Sequence, residues 1–169
     1  PLPSSQSPIA ELVTNYPIKS EAVICHIRQA NSGGISLENT HPFTRQMWGR
    51  NWTYAHNGQL NNVQVELPVK LHIPVGATDS EHAFCWILDQ LHFKFADKEP
   101  AATVLFKFIA ELSVKINALG VFNVNITNGQ YLFAYCANNL HWITRRAPFG
   151  KASLIDAEVV INFTEETTE

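Results

Sequence analysis

The 169-residue sequence has no run of Lys and Arg, no long apolar run and no cysteine framework, and each absence removes a class of function. Its 12 basic residues are scattered among 15 acidic ones, giving a net charge of −3 with the seven histidines neutral. Binding a phosphate backbone needs clustered cations, so nucleic acid is excluded as the main partner. No stretch approaches the ~20 apolar residues of a membrane span. The opening "PLPSSQSP" lacks the basic-then-apolar pattern of a secretory signal, so no membrane partner is expected. Cys25, Cys85 and Cys136 are odd in number, far apart and set among apolar neighbours. They read as buried thiols of a reducing compartment, which points to the cytoplasm and away from a disulfide scaffold or a zinc site. No G-x-S-x-G stretch exists, so a serine nucleophile of that type is not expected.

What is present is ordinary globular composition, 46% hydrophobic and 16% charged, enough for one domain over residues 1–169 with a real core. Residues 9–15 fit a short helix stopped before Pro17. Residues 22–30, "AVICHIRQA", carry the β-branched content of a buried strand with His26 and Arg28 on one face. "NSGGISLENTHPFTR" is a long polar loop, and "NWTYAHNG" is the next strand. Residues 59–77 are poorly periodic. In "ATDSEHAFCWILDQLHFKF", Thr78 and Glu81 form a capping box, and Phe84, Ile87, Leu88, Leu91 and Phe95 make one helical stripe. Val104, Leu105, Phe108, Ile109, Leu112 and Ile116 predict a second helix, with Gly120 at its C-terminal cap. From Val121 the pattern becomes strands: a hairpin about Asn128-Gly129, a strand in "LHWITRR", and two short ones in "SLIDAEVVINF". Strands, two consecutive helices and a run of antiparallel strands make an α+β fold, not a doubly wound parallel sheet.

Four features carry possible chemistry. The first Asn-Gly, Asn57-Gly58 in "YAHNGQL", has no clear return strand, so a hairpin explains it less well than it explains the second. Its side-chain amide and an unobstructed backbone N–H would make two donors for a developing oxyanion. Arg28 needs a carboxylate, which either an internal acid or a substrate would supply. Asp79, in the first turn of the best helix, is favoured there by the helix dipole, and would also serve as counter-charge to a ligand ammonium group. His26, His41 and His56 lack metal-ligand spacing and read as structural, so no metal is expected.

In this order, "HIRQANSG", "ENTHPF", "YAHNGQL" and "GATDSE" resemble the glutaminase domain of class II glutamine amidotransferases, which are N-terminal-nucleophile hydrolases. "HIRQA" and "ITRRAPFG" are most similar to their stand-alone branch. The resemblance implies an αββα four-layer sandwich, incomplete in this chain, and no cofactor. It implies hydrolysis of glutamine or another γ-glutamyl amide, a small-molecule substrate. Arg28 would bind the α-carboxylate and Asp79 the α-amino group, while Asn57 and Gly58 form the oxyanion hole and the three histidines fix the loops. It also implies an N-terminal Cys nucleophile activated by its own α-amine, several dozen residues ahead of the H-x-R motif. Pro1 stands too close to His26 for that, so the resemblance implies further strands before Pro1 and after Glu169, and no turnover by this chain alone. Gln29-Ala30-Asn31-Ser32 departs from the Thr-containing stretch that follows H-x-R in better-known members, which leaves the γ-substituent open. The rival readings are a hydrolase of glutathione-like or other γ-glutamyl sulfur compounds, and a glutamine-binding module without catalysis. Nothing in the sequence indicates an oligomeric state.

Overall fold

The structure, a computed structural model, describes residues 15–16, 20–26, 36–144, 151–153 and 160–162. Arg28 and Gln29-Ala30-Asn31-Ser32 lie outside the described residues, as do most of the helix expected over 9–15 and the end of "LHWITRR". The chain divides after Asn139 into two compact units.

The first unit contains an antiparallel sheet in the order β1 (Phe43–Met47), β2 (Arg50–Asn57), β3 (Asn123–Thr127) and β4 (Leu132–Tyr135). The segment between β2 and β3 supplies a short helix α1 (Val63–Glu66) and two long ones, α2 (Asp79–Phe95) and α3 (Ala102–Asn117). The α+β expectation holds. Strand alternation sorts the sheet into two unlike faces. One row, Phe43, Tyr54, Ile126 and Phe133 in register, joins Trp52 and Val124 in packing with Phe84, Leu88 and Ile109 of the helices. The row on the opposite face, Thr44, Thr53, Thr127 and Leu132, is mostly small and hydroxylated. Burying each large apolar side chain stabilises by about 1.5–3 kcal/mol, so the helical face dominates the stability of this sheet.

β1 lies inside what the sequence presents as loop. Its alternation is broken by Arg45, which points toward the helices instead of solvent and pairs there with the buried Glu81. Trp48 and Gly49, both at positive φ (53° and 72°), make the two-residue turn into β2, where a right-handed twist requires such conformations. Residues 22–26, by contrast, join no strand, and Val23 and Cys25 are exposed. Apolar, β-branched content reports strand propensity, which is realised only where a sheet neighbour pairs with the segment. Cys136 is exposed as well, so only Cys85 is a buried thiol.

The capping box is half made. The N–H of Glu81 donates to Thr78 Oγ1 (3.1 Å), but the Glu81 carboxylate accepts from the N–H groups of Val75 (3.0 Å) and Gly76 (2.7 Å) and from Arg45. The second helix is capped at Ala118. Gly120 instead faces Leu60 in an isolated bridge, where a Cβ would stand 2.1 Å from the Gln59 carbonyl oxygen. Asn128-Gly129 does turn β3 into β4, with the Asn128 side-chain oxygen accepting from Gln130 N–H (3.1 Å) and Tyr131 N–H (3.0 Å). In the second unit, β5 (Lys151–Ser153) pairs antiparallel with β6 (Val160–Asn162); β6 lies within the expected "SLIDAEVVINF", whereas β5 begins before it and shares only Ser153 with it. The described residues of "LHWITRR", 140–144, form no strand and leave Trp142 and Ile143 exposed without a partner ladder.

The irregular stretch after α1 is organised by Asp89, fully buried within α2. Its carboxylate accepts from the N–H groups of Lys70 (2.5 Å), Leu71 (3.1 Å) and His72 (2.9 Å), and pairs with His72 Nδ1 (2.8 Å). Burial alone would push its pKa up. The Lys70 N–H, the His72 ring and the remaining N–H donors outweigh that and hold it below the ordinary value. Asp89→Ala strands three inward-facing backbone donors. It is expected to lower unfolding free energy by about 3–5 kcal/mol, read by urea denaturation. A loss below about 1 kcal/mol would mean the loop is held by its apolar contacts instead.

Candidate functional site

The Asn57-Gly58 pair ends β2, and no hairpin follows it. The next strand to pair with β2 is β3, with Asn57 opposite Asn123. Gly58 has φ +153°, and a Cβ there would lie 1.9 Å from the carbonyl oxygen of Val121. Only glycine allows that approach. Asn57 is exposed at the strand end. Among the described residues, neither its side-chain amide nor the Gly58 N–H donates a hydrogen bond.

His56 lies beneath this peptide and is buried. Nε2 contacts the Val121 carbonyl oxygen (3.0 Å) and Nδ1 contacts Ser80 Oγ (2.8 Å). A carbonyl can only accept, so Nε2 carries the proton and Nδ1 accepts from the Ser80 hydroxyl. The expected framework role of His56 thus has a geometry: it ties the end of β2 to the approach to β3 and to the start of α2. His26 and His41 stack on each other instead, with ring centroids 4.4 Å apart, and His41 also packs on Phe43. No group of three metal-ligating side chains forms among the described residues.

Asp79 is the first residue of α2. Oδ2 accepts from the N–H of Leu60 (2.7 Å), and Oδ1 accepts from the N–H of Ser80 (2.9 Å). The sequence separates residues 57–58 from Asp79 by a poorly periodic stretch. The fold joins them through Leu60 on one side and the His56–Ser80 bond on the other. No Lys, Arg or His side chain pairs with Asp79 among the described residues, whereas Glu81 pairs with Arg45 and Asp89 with the His72 ring. Arg28 lies outside the described residues, so its position relative to this cluster is not part of the geometry.

Over all 169 residues the sequence matches the model of a family described as class-II glutamine amidotransferases. The chain belongs to that family. It is 55% identical over 168 residues to the Escherichia coli (strain K12) protein named "Putative glutamine amidotransferase YafJ", covering 99% of this chain and 66% of that one. It is 44% identical over 160 residues to a Haemophilus influenzae protein of the same description, covering 95% of this chain and 54% of that one. The chain therefore spans less than two thirds of the length of these relatives. A crystal structure of a predicted glutamine amidotransferase from Pseudomonas aeruginosa PA01 superposes with a TM-score of 0.73 at 45% identity, covering 85% of this chain and 55% of that one. As for membranes, no helix among the described residues is long and apolar enough to cross one.

Three supporting residues of this candidate cluster escape sequence reading: Ser80, Leu60 and Asn123. Ser80 and Leu60 act through bonds to partners far along the chain. Asn123 had a faint signal, as an amide inside an apolar strand. The titration of His56 is the measurable consequence of the cluster. Burial lowers its pKa from the ordinary 6.5, against the opposing pull of the Val121 bond and of Asp79, while His26 pushes the same way as burial. Below pH 6.5 the unfolded chain takes up a proton that folded His56 refuses, so stability should be full above that pH and fall as pH drops toward the folded value. His56→Gln should lose this component. Identical pH–stability profiles of parent and variant would show that His56 is not buried neutral.

Proposed function

We propose that the intact protein hydrolyses the γ-amide of glutamine or a related γ-glutamyl compound, with Asn57 and Gly58 as oxyanion donors and Arg28 and Asp79 as the grip on the glutamyl backbone. The observation that carries this is the joining of two donors and one carboxylate, which engage no acceptor and no cation among the described residues, through the Leu60 N–H bond to Asp79. A glutamyl α-ammonium group would supply a positive charge there. A thiolate attacking the amide carbon drives the carbonyl electrons onto oxygen, where two preorganised N–H donors stabilise the charge. Ammonia leaves with a proton from the general acid, and water then cleaves the thioester to release glutamate.

The nucleophile in this reading is an N-terminal Cys outside the 169 residues, whose own amine is the base. The chain's own thiols suit the role poorly. Burial pushes Cys85 up to about 11, leaving almost no thiolate at neutral pH. Cys25 and Cys136 are mid-chain and carry no α-amine. The proposal accordingly includes no turnover by residues 1–169 alone.

The donor assignment is tested in the full-length protein by Asn57→Ala. Its kcat for glutamine hydrolysis should fall about 10²–10³-fold with KM nearly unchanged, since the amide serves the transition state. A raised KM at constant kcat would make Asn57 a substrate-binding residue instead. The charge assignment is tested by titrating glutamate into Arg28→Ala and Asp79→Asn by calorimetry. Each should weaken binding by about 2–4 kcal/mol, the cost of leaving one desolvated charge alone. Unchanged affinity in both would remove the clamp.

A further inference from the structure

We infer that Asn123 is a positioning residue for the oxyanion hole, acting through the peptide that joins Asn57 to Gly58; this rests on the assignment of Gly58 as a donor. The Asn123 side chain is buried at the start of β3, and Nδ2 donates to the backbone carbonyl oxygen of Asn57 (3.2 Å). That carbonyl belongs to the same planar unit as the Gly58 N–H. In a trans peptide the two point in opposite directions, so fixing the oxygen fixes the direction of the N–H. Gly58 has no side chain to restrict it, and its φ of +153° leaves the peptide otherwise free to rotate. A donor on the carbonyl also polarises the peptide, strengthening the N–H on its other end.

Asn123 is held in turn from the far side. Its Oδ1 accepts from the N–H groups of Ala137 (2.9 Å) and Asn138 (3.2 Å), and Nδ2 also donates to Asn138 Oδ1 (2.7 Å). Both acceptor bonds settle which end of the amide is oxygen, so Nδ2 must face Asn57. The turn after β4 thereby sets the orientation of a catalytic peptide at the end of β2. A side chain serving only the fold would need no such directionality, since Asn57 and Asn123 are already opposed in the ladder.

Asn123→Asp is the discriminating substitution. It keeps the acceptor for Ala137 and Asn138 and places an oxygen against the Asn57 carbonyl. In the full-length enzyme, kcat for glutamine hydrolysis should fall roughly 10- to 100-fold with KM within about twofold, as expected for a misaimed donor. Asn138→Ala, at an exposed position, should show a smaller kcat loss of the same kind and covers the case in which Asn123→Asp does not fold. Asn123→Asp and Asn57→Ala disturb the same hole, so the double variant should lose less than the product of the two single losses. Fully multiplicative losses, or unchanged kcat in Asn123→Asp and Asn138→Ala, would overturn the inference. If Asn57→Ala and Asn123→Asp both leave kcat intact, the oxyanion-hole reading itself falls; if only the Asn123 and Asn138 variants do, that reading stands without this support.

Discussion

The carbonyl oxygen of Val121 occupies the space where a side chain on residue 58 would begin. Everything at this end of the sheet is arranged around that contact. It forbids any residue but glycine at 58, and it supplies the acceptor for His56 Nε2. It also draws the entry to β3 against the exit of β2, so that Val121 N–H bonds Gln59 O (3.1 Å) and Leu60 bridges Gly120. Glycine at 120 is required by the reciprocal approach to Gln59. Two glycines more than sixty residues apart therefore have one cause, the close passage of two backbones. This passage sets the path of the backbone at Asn57 and Gly58, while the Asn57 carbonyl is held separately by Asn123 Nδ2.

The second constraint is charge. α2 presents three acids to the irregular chain that lies between β2 and its own start, and each accepts backbone N–H groups from it: Asp79 from Leu60, before α1, and Glu81 from Val75 and Gly76 and Asp89 from Lys70 through His72, after it. A segment with no repeating backbone pattern must satisfy its donors somehow, and carboxylates do so more strongly than neutral acceptors. Glu81 also pairs with the Arg45 guanidinium, and Asp89 with the His72 ring. Among the described residues no Lys, Arg or His side chain pairs with Asp79 in this way. The three acids look alike in sequence, and the fold gives them different partners.

This explains what could be read in the sequence and what could not. The stripe from Phe84 to Leu91 and the alternation in Trp52, Tyr54 and His56 are short-range patterns, and they predicted their elements. The motif order from His26 to Glu81 was enough to place the chain in its family. β1 was illegible because Arg45, facing inward, reads as a loop residue until its partner on α2 is known. The absence of a strand over the described residues 22–26 and the half-made capping box have the same reason. Burial and side-chain partnering at those positions are decided by residues distant in sequence. In the candidate site, Asn57, Gly58 and Asp79 were legible as residue types, whereas Asn123 and Ser80 act only through bonds that the fold creates.

The proposed function asks Asp79 to serve structure and ligand together, which its chemistry allows because a carboxylate has more acceptor sites than its known bonds use. Oδ2 takes one N–H from Leu60 and Oδ1 one from Ser80, and each oxygen has a second lone pair. The Ser80 hydroxyl, which could have taken one of these, is committed to His56 Nδ1, with Oγ standing 3.4 Å from Asp79 Oδ1. His56 thus engages the Ser80 hydroxyl and leaves acceptor capacity on Asp79. The positive end of a helix favours an acid in its first turn by about 0.3–1 kcal/mol whether or not a ligand is bound. Under the proposed function, an arriving ammonium group would meet a carboxylate already oriented by the Leu60 and Ser80 N–H groups.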